Sequence, residues 1–425
     1  MNTNRRIFIQ SLSAGLLGSI IGSSKSAAAE AKHIPAYSST TAEQYWDIIR
    51  TQYPLLHVPV YFNTGGLGPI PQCVTDAVIS TNSRLQEHCE TGHVLFEPAR
   101  KDLAQFLGVA SHEISFVRNA TEANSIIAAG LRLKAGDEVI FDSHAHPGGS
   151  HPWLIQAKQA GVVIKVFEPD ASSPESNVER IQSLLTVKTK VIQVSHITCT
   201  TGLIMPVKSI AQLANNRGIW FHIDGAQAVG MIPLNISELG CDSYAVSGHK
   251  WLGGPNETGI LYIKHRNLEK IAMVEAGSYS GSVKRLPGEL ILEPSTMRHE
   301  YGTRNAGLVV GLQRAVLFQN QIGRDRIANR GKELATILLD SFAKFKDIKI
   351  LTPLDSQMRG SITTIQHPRA TAEGFFDYLH KKKKLRCRLV SEQGLRALRI
   401  STHILNSSEE CERLIAGVQA SLKEL

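Results

Sequence analysis

The sequence predicts an α/β protein built on a mostly parallel sheet, with a smaller α+β domain at its C-terminal end. Helical and strand-like patterns alternate from about residue 72. Several strand candidates are continuous apolar runs, as a sheet covered on both faces requires. Beyond about residue 306 the texture changes to longer helical patterns with only short strand candidates. At 425 residues the chain exceeds one simple core, so two unequal domains are expected.

The N-terminus reads NRRIFIQSLSAGLLGSIIGSSKSAAAEA. A basic pair, a moderately apolar stretch over 12–21 and the small-residue site Ala27-Ala28-Ala29 are the parts of an export signal. The stretch is short for a membrane span and rich in Gly and Ser, although an uncleaved anchor is the alternative. Arg5-Arg6 followed by Ile7-Phe8-Ile9 resembles the twin-arginine type, implying the twin-arginine export machinery as a partner and a periplasmic or otherwise exported protein. We therefore divide the chain into a signal peptide (1–29), a linker and arm (30–71), a large domain (72–305) and a small domain (306–425).

In the large domain helical patterns occupy 98–107 and 122–131. Strand-like runs follow at EVIFD (138–142), VVIKVFE (162–168), KVIQVSHI (190–197), GIWFHID (218–224), SYAV (243–246) and GILYI (259–263). Short candidates at IKILT (348–352), GSITTIQ (360–366) and LRALRIS (395–401) belong to the small domain. The lysine run 381–384 reads as a solvated helix end.

Composition excludes several classes. With 42% hydrophobic and 20% charged residues this is an ordinary globular chain. The formal charge of +8 includes Arg5, Arg6 and Lys25; without them 43 bases face 38 acids, an excess of +5 that is too small to argue for nucleic acid. The six cysteines, scattered without CxxC spacing, suggest neither a zinc site nor a dense disulfide framework.

The chemistry is carried by strand ends of one sheet. FHIDGAQ places Asp224 after an apolar strand, where a carboxylate is costly without a partner, although a turn former is the simpler reading. SGHK places Lys250 after another strand. A buried lysine has a lowered pKa and can form a Schiff base. A lysine and a carboxylate so placed are what pyridoxal 5'-phosphate needs, the acid keeping the ring nitrogen protonated. RNATEAN offers a helix N-terminus for the phosphate at Ala120 and Thr121, the latter also readable as a plain N-cap, and Ser247 and His249 flank the lysine. No GxGxxG follows the first strand, so a nicotinamide enzyme is not expected.

The runs YFNTGGLGPIP, RNATEA, HIDGAQAVG, SGHKWLGGP, EYGTRN and LRIS, in this order, resemble the class V aminotransferase group of fold type I pyridoxal phosphate enzymes over roughly 45–420, nearest its isopenicillin N epimerase-like branch. The resemblance implies a seven-stranded-type sheet and a homodimer with shared active sites. It makes Lys250 the Schiff-base lysine and acid/base, Asp224 the partner of the ring nitrogen and Gln227 that of the ring hydroxyl. Thr121, Ser247, His249 and the Ala120 N–H would hold the phosphate, with Thr303 reaching the neighbouring subunit's. His144 would stack on the ring. Arg399 would grip the substrate carboxylate, a domain-interface ion pair being its simpler role, and Asn63 would lie near the mouth, where Gly65 and Gly66 also fit a plain turn. His144, His146 and His151 could hold a metal, but their spacing fits no strong motif. Desulfurases carry a reactive cysteine on a loop ahead of that arginine, whereas RLVSEQGLRALR (388–399) has none, so persulfide chemistry is not expected. The expected function is action at the α-carbon of an amino acid, a small-molecule substrate, by amino transfer or epimerisation, with β-elimination or C–S cleavage, or a non-catalytic binding protein, as alternatives.

Overall fold

A computed structural model of the chain describes residues 34–38 and 42–425; the export signal read above lies outside the described residues. In chain order the helices are α1 (Ala42–Arg50), α2 (Gln72–His88), α3 (Phe96–Leu107), α4 (Ala120–Gly130), α5 (Pro147–Ala160), α6 (Pro174–Leu184), α7 (Val207–Asn215), α8 (Ala306–Ile322), α9 (Arg324–Phe342), α10 (Ala372–Asp377) and α11 (Ser408–Glu424). The strands are β1 (Val60–Tyr61), β2 (Ile114–Val117), β3 (Glu138–Asp142), β4 (Val163–Phe167), β5 (Thr189–Ser195), β6 (Trp220–Asp224), β7 (Ser243–Ser247), β8 (Gly259–Ile263), β9 (Gly281–Val283), β10 (Leu290–Leu292), β11 (Lys349–Ile350), β12 (Ile362–Gln366), β13 (Leu385–Arg386), β14 (Arg388–Val390) and β15 (Ala397–Ser401).

Seven strands form the main sheet in the order β2-β8-β7-β6-β5-β3-β4. The run from β7 to β4 is parallel, and β8 is antiparallel to both of its neighbours. The continuous apolar runs are explained by where alternate residues go. Phe221, Ile223, Ile192, Val194, Tyr244 and Val246 enter the core on one face, while Trp220, Val191 and Ala245 enter a second core on the other. Each large apolar side chain so enclosed contributes about 1.5–3 kcal/mol, so neither face can turn to water. The parallel strands consequently end together, with Asp142, Ser195, Asp224 and Ser247 as the last residues of β3, β5, β6 and β7.

A four-stranded antiparallel sheet, β11-β12-β15-β14, carries α9, α10 and α11 and has its own core around Leu338, Phe342, Phe375, Leu398 and Leu414. The arm strand β1 pairs in parallel with β13 and puts Val60 and Phe62 into that core. Helix α8 follows residue 305 but packs Val309, Leu312 and Val316 into the large-domain core. Strands β1, β2, β9, β10, β13 and β14 were not foreseen; at two to four residues each they are too short to show a period. The lysine run 381–384 begins inside a wide helical turn over 378–382, with Lys382 and Lys383 paired to Glu424. Among the described residues no helix is long and apolar enough to cross a membrane.

Candidate active site

A cavity of about 360 Å³ opens at the carboxyl ends of β5, β6 and β7, where an open α/β sheet places its ligands. Ser195, Asp224 and Ser247 border it from the strand ends, His249 and Lys250 from the turn after β7, and Thr121 from the start of α4. Gln227 follows β6, His146 precedes α5, and Arg388 and Arg399 reach in from the small sheet. The loop 63–70 closes one side. It approaches so closely that a Cβ on Gly68 would lie 1.8 Å from the Lys250 carbonyl oxygen, and the Gly68 N–H donates to the His249 carbonyl at 2.8 Å.

Asp224 is held by a chain of donors whose direction is set at the carboxylate. Asp224 can only accept, so Asn124 Nδ2 donates to its Oδ2 at 2.9 Å and to the Gly148 carbonyl at 3.0 Å, while Ala226 N–H donates to Oδ1 at 3.0 Å. Asn124 Oδ1 therefore accepts from His222 Nε2 at 2.8 Å, which leaves Nδ1 of the neutral imidazole to accept from the Ser243 hydroxyl at 2.8 Å, and Ser243 Oγ in turn accepts from the Trp220 indole at 2.9 Å. Burial pushes His222 down to about 4, so it stays neutral as the chain requires. A carboxylate enclosed this far is sustainable only with such donors and a nearby cation.

Lys250 is that cation. Burial pushes its ammonium below the usual lysine range, with Asp224 opposing the shift, so the neutral nucleophilic amine becomes more accessible. A second carboxyl, Asp142, accepts from Ser195 N–H at 2.9 Å; burial, with Asp224 adding repulsion, pushes it up to about 7. Trp251 likewise orients Gln227: its indole donates to Oε1 at 2.7 Å, so Nε2 faces the Gly65 carbonyl at 2.9 Å and keeps one N–H for the cavity.

The anion end differs in detail from expectation. Asn119 is the N-cap of α4, its Oδ1 accepting from Glu122 N–H at 3.0 Å, so Thr121 is not needed as a cap. The Ala120 N–H is not offered to a phosphate, because it donates to Ser247 Oγ at 3.2 Å. That bond leaves the Ser247 proton to point elsewhere, and the Thr121 N–H and hydroxyl remain at the helix start. A Cβ on Gly148 would come within 2.2 Å of the Thr121 hydroxyl oxygen, so a larger residue there would displace that hydroxyl.

Two further placements, those of His144 and Asn63, differ from the sequence reading. His144 does not border the cavity: it is buried, its Nε2 3.1 Å from Glu168 Oε1. The bordering imidazole is His146, whose Nδ1 accepts from Gly148 N–H at 3.0 Å as the N-cap of α5. Asn63 is likewise not a lining residue; its Oδ1 accepts from Arg399 Nη2 at 3.0 Å and so orients the arginine, which also donates to the Cys199 carbonyl at 2.9 Å. Among the described residues Arg399 has no carboxylate partner, which speaks against the ion-pair alternative. Thr303 is exposed in a separate cavity of about 290 Å³ beside Tyr301 and Arg304. Asn124 and Arg388 were missed altogether, although Asn124 falls inside the quoted RNATEAN. Among the described residues no cluster of His, Cys, Asp or Glu could hold a metal ion.

The cavity fits the cofactor that the resemblance implies. Among the described residues His249 Nδ1 and Arg399 Nε are buried without hydrogen-bond partners, Lys250, Arg388 and Arg399 bring three positive charges, and Asp224 is the bordering carboxylate. A group with a phosphate at one end and a basic ring nitrogen at the other matches this donor set.

Comparison with known proteins agrees. The family model described as Aminotransferase class-V matches residues 61–414. The chain is 27% identical to an isopenicillin N epimerase of Amycolatopsis lactamdurans, covering 89% of this chain and 98% of that protein. It is 30% identical to a probable cysteine desulfurase of Halalkalibacterium halodurans, covering 74% and 80% respectively. Its fold is similar to that of a cysteine desulfurase from Thermococcus onnurineus NA1, with a TM-score of 0.80 at 23% identity over 89% of this chain and 98% of that one.

Proposed function

The chain belongs to the aminotransferase class V family, whose cofactor is pyridoxal 5'-phosphate, and from that premise we propose that it acts at the α-carbon of an amino acid by epimerisation or amino transfer. The observation that carries this reading is the Lys250 amine at the strand end, its pKa lowered by burial, bordering one cavity with Asp224 and Arg399. Bound there, the cofactor supplies an aldehyde that condenses with amines and a ring that takes up the electrons of the α-carbon. Asp224, fed by its donor chain, holds the ring-nitrogen proton. Thr121, Ser247 and His249 take the phosphate, and the remaining Gln227 N–H takes the ring oxygen. His146 covers the ring face, the part first given to His144. Arg399, preset by Asn63 and the Cys199 carbonyl, grips the substrate carboxylate. Lys250 Nζ, once free, takes the α-proton and returns it.

The desulfurase relatives keep β-elimination with C–S cleavage as the second reading. Against persulfide formation, burial raises the Cys199 thiol at the cavity edge, and pushes the buried Cys387 thiol up to about 12; the thiolate is the reactive form. Export by the twin-arginine route is part of the proposal, supported by Arg5-Arg6 and the residues after them. So is a homodimer in which Thr303 would reach the neighbouring subunit's phosphate, a reading supported by its exposure beside Tyr301 and Arg304.

The test is incubation of the cofactor-loaded protein with an amino-acid pool in heavy water, reading deuterium at the α-carbon by NMR. Exchange in the wild type and none in Lys250→Ala is expected, together with loss of the visible absorbance due to cofactor bound through the lysine. An unchanged spectrum or undiminished exchange in Lys250→Ala would overturn the assignment.

A further inference from the structure

Arg388 and Arg399 are direct partners across the antiparallel pair β14–β15, so both side chains leave the same face, and both border the cavity. Opposed like charges repel, with Cβ atoms only about 5 Å apart. Such a pair is tolerable where anions come to meet it. Arg399 is spoken for by the substrate α-carboxylate. Arg388 instead holds Glu392 through both Nη atoms, one contact at 3.3 Å, and Ser391 N–H donates to the same carboxylate at 3.2 Å. The pair is not a solvated surface bridge, since the two side chains are 25% and 15% exposed. Glu392 lies on a short turn whose next residues, Gln393 and Gly394, have φ of 54° and 67°. Gln393 thus lies in the left-handed region, which is unfavourable for a residue with a Cβ, and Glu392 is held beside that strained position.

We propose that Arg388 is a second anion anchor, that Glu392 occupies it as an internal stand-in, and that the substrate is an amino acid whose side chain ends in a carboxylate, which displaces Glu392. This rests on the pyridoxal phosphate reading and adds the substrate class. The α-carboxylate lies on Arg399 and the distal carboxylate on Arg388, each gripped by a planar fork of donors. A four- or five-carbon diacid spans anchors at the separation of cross-strand neighbours.

The experiment is calorimetric titration of the cofactor-loaded protein with glutarate and with valerate, which match in length but differ by one carboxylate. Glutarate is expected to bind about tenfold more tightly. Arg388→Leu removes that margin and leaves valerate unchanged, whereas Glu392→Gln, which takes away the competitor and keeps the fold, tightens glutarate several-fold. Equal affinities in the wild type, equal weakening of both acids by Arg388→Leu, or weaker glutarate binding by Glu392→Gln would each overturn the proposal. Arg399→Leu separates the two levels: it weakens both acids if the underlying reading holds. A protein that loads cofactor through Lys250 and binds both acids through Arg399 without distinguishing them refutes the substrate class alone.

Discussion

Replacing Asn124 by alanine tests the donor chain behind Asp224. Asn124 is fully buried and makes one of the two donations to that carboxylate, the other coming from Ala226 N–H. A hydrogen bond to a charged group contributes about 1.5–3 kcal/mol, so its loss lowers cofactor affinity by roughly 10- to 100-fold. The same substitution leaves His222 Nε2–H without its acceptor, which costs the fold a further 1–3 kcal/mol or so. Both effects are measurable on one preparation: fluorescence titration of the apoprotein with pyridoxal phosphate gives affinity, and urea denaturation gives stability. The two losses should appear together, and Asn124→Asp, which repels Asp224, should bind cofactor still more weakly. Wild-type affinity in Asn124→Ala, whatever its stability, would refute the claim that the chain prepares Asp224 for the ring.

Two further outcomes follow from the same geometry. Burial pushes His196, His222, His299 and His403 down to about 4 in the folded protein. Unfolded histidines take up protons below about pH 6.5 and these do not, so stability present at pH 7 is lost as pH falls towards 4, each residue contributing up to about 2 kcal/mol of the loss by pH 5. Asp142, held up at about 7, runs the opposite way and offsets part of it. A urea midpoint that stays flat from pH 7 to 5 would contradict this. Gly68→Ala sets a methyl group against the Lys250 carbonyl, with backbone on both sides and no flexible atom to yield. Overpacking of this kind costs about 1–3 kcal/mol, and the loop is expected to move off the lysine turn, so a melting temperature and cofactor affinity equal to wild type would count against the close approach.

How much of this was legible depends on whether the signal was local. The bounds of β3 and β8 coincide with the apolar runs at 138–142 and 259–263, because a strand buried on both faces writes itself as an uninterrupted run. Lys250, Asp224, Gln227 and Ser247 were legible because strand ends deliver them. The choice between His144 and His146 was decided by Pro147, which opens α5 and makes its predecessor the N-cap. That signal was in the sequence and went unused. The commitment of the Ala120 N–H was not readable, since its acceptor Ser247 lies 127 residues away. Arg388 was hidden for a related reason: facing Arg399 is a matter of hairpin register, which the turn sets and composition does not.

The arm over 60–68 is a tie rod. It hydrogen-bonds to β13 through Phe62 N–H on the Arg386 carbonyl at 2.9 Å and to the small sheet through the Phe62 carbonyl under Ser401 N–H at 2.8 Å. Within a few residues it steadies Arg399 through Asn63, Gln227 through Gly65 and the lysine turn through Gly68. The arginine at one wall and the amide and the lysine turn at the other are thereby tied along one short length of backbone rather than through the main sheet.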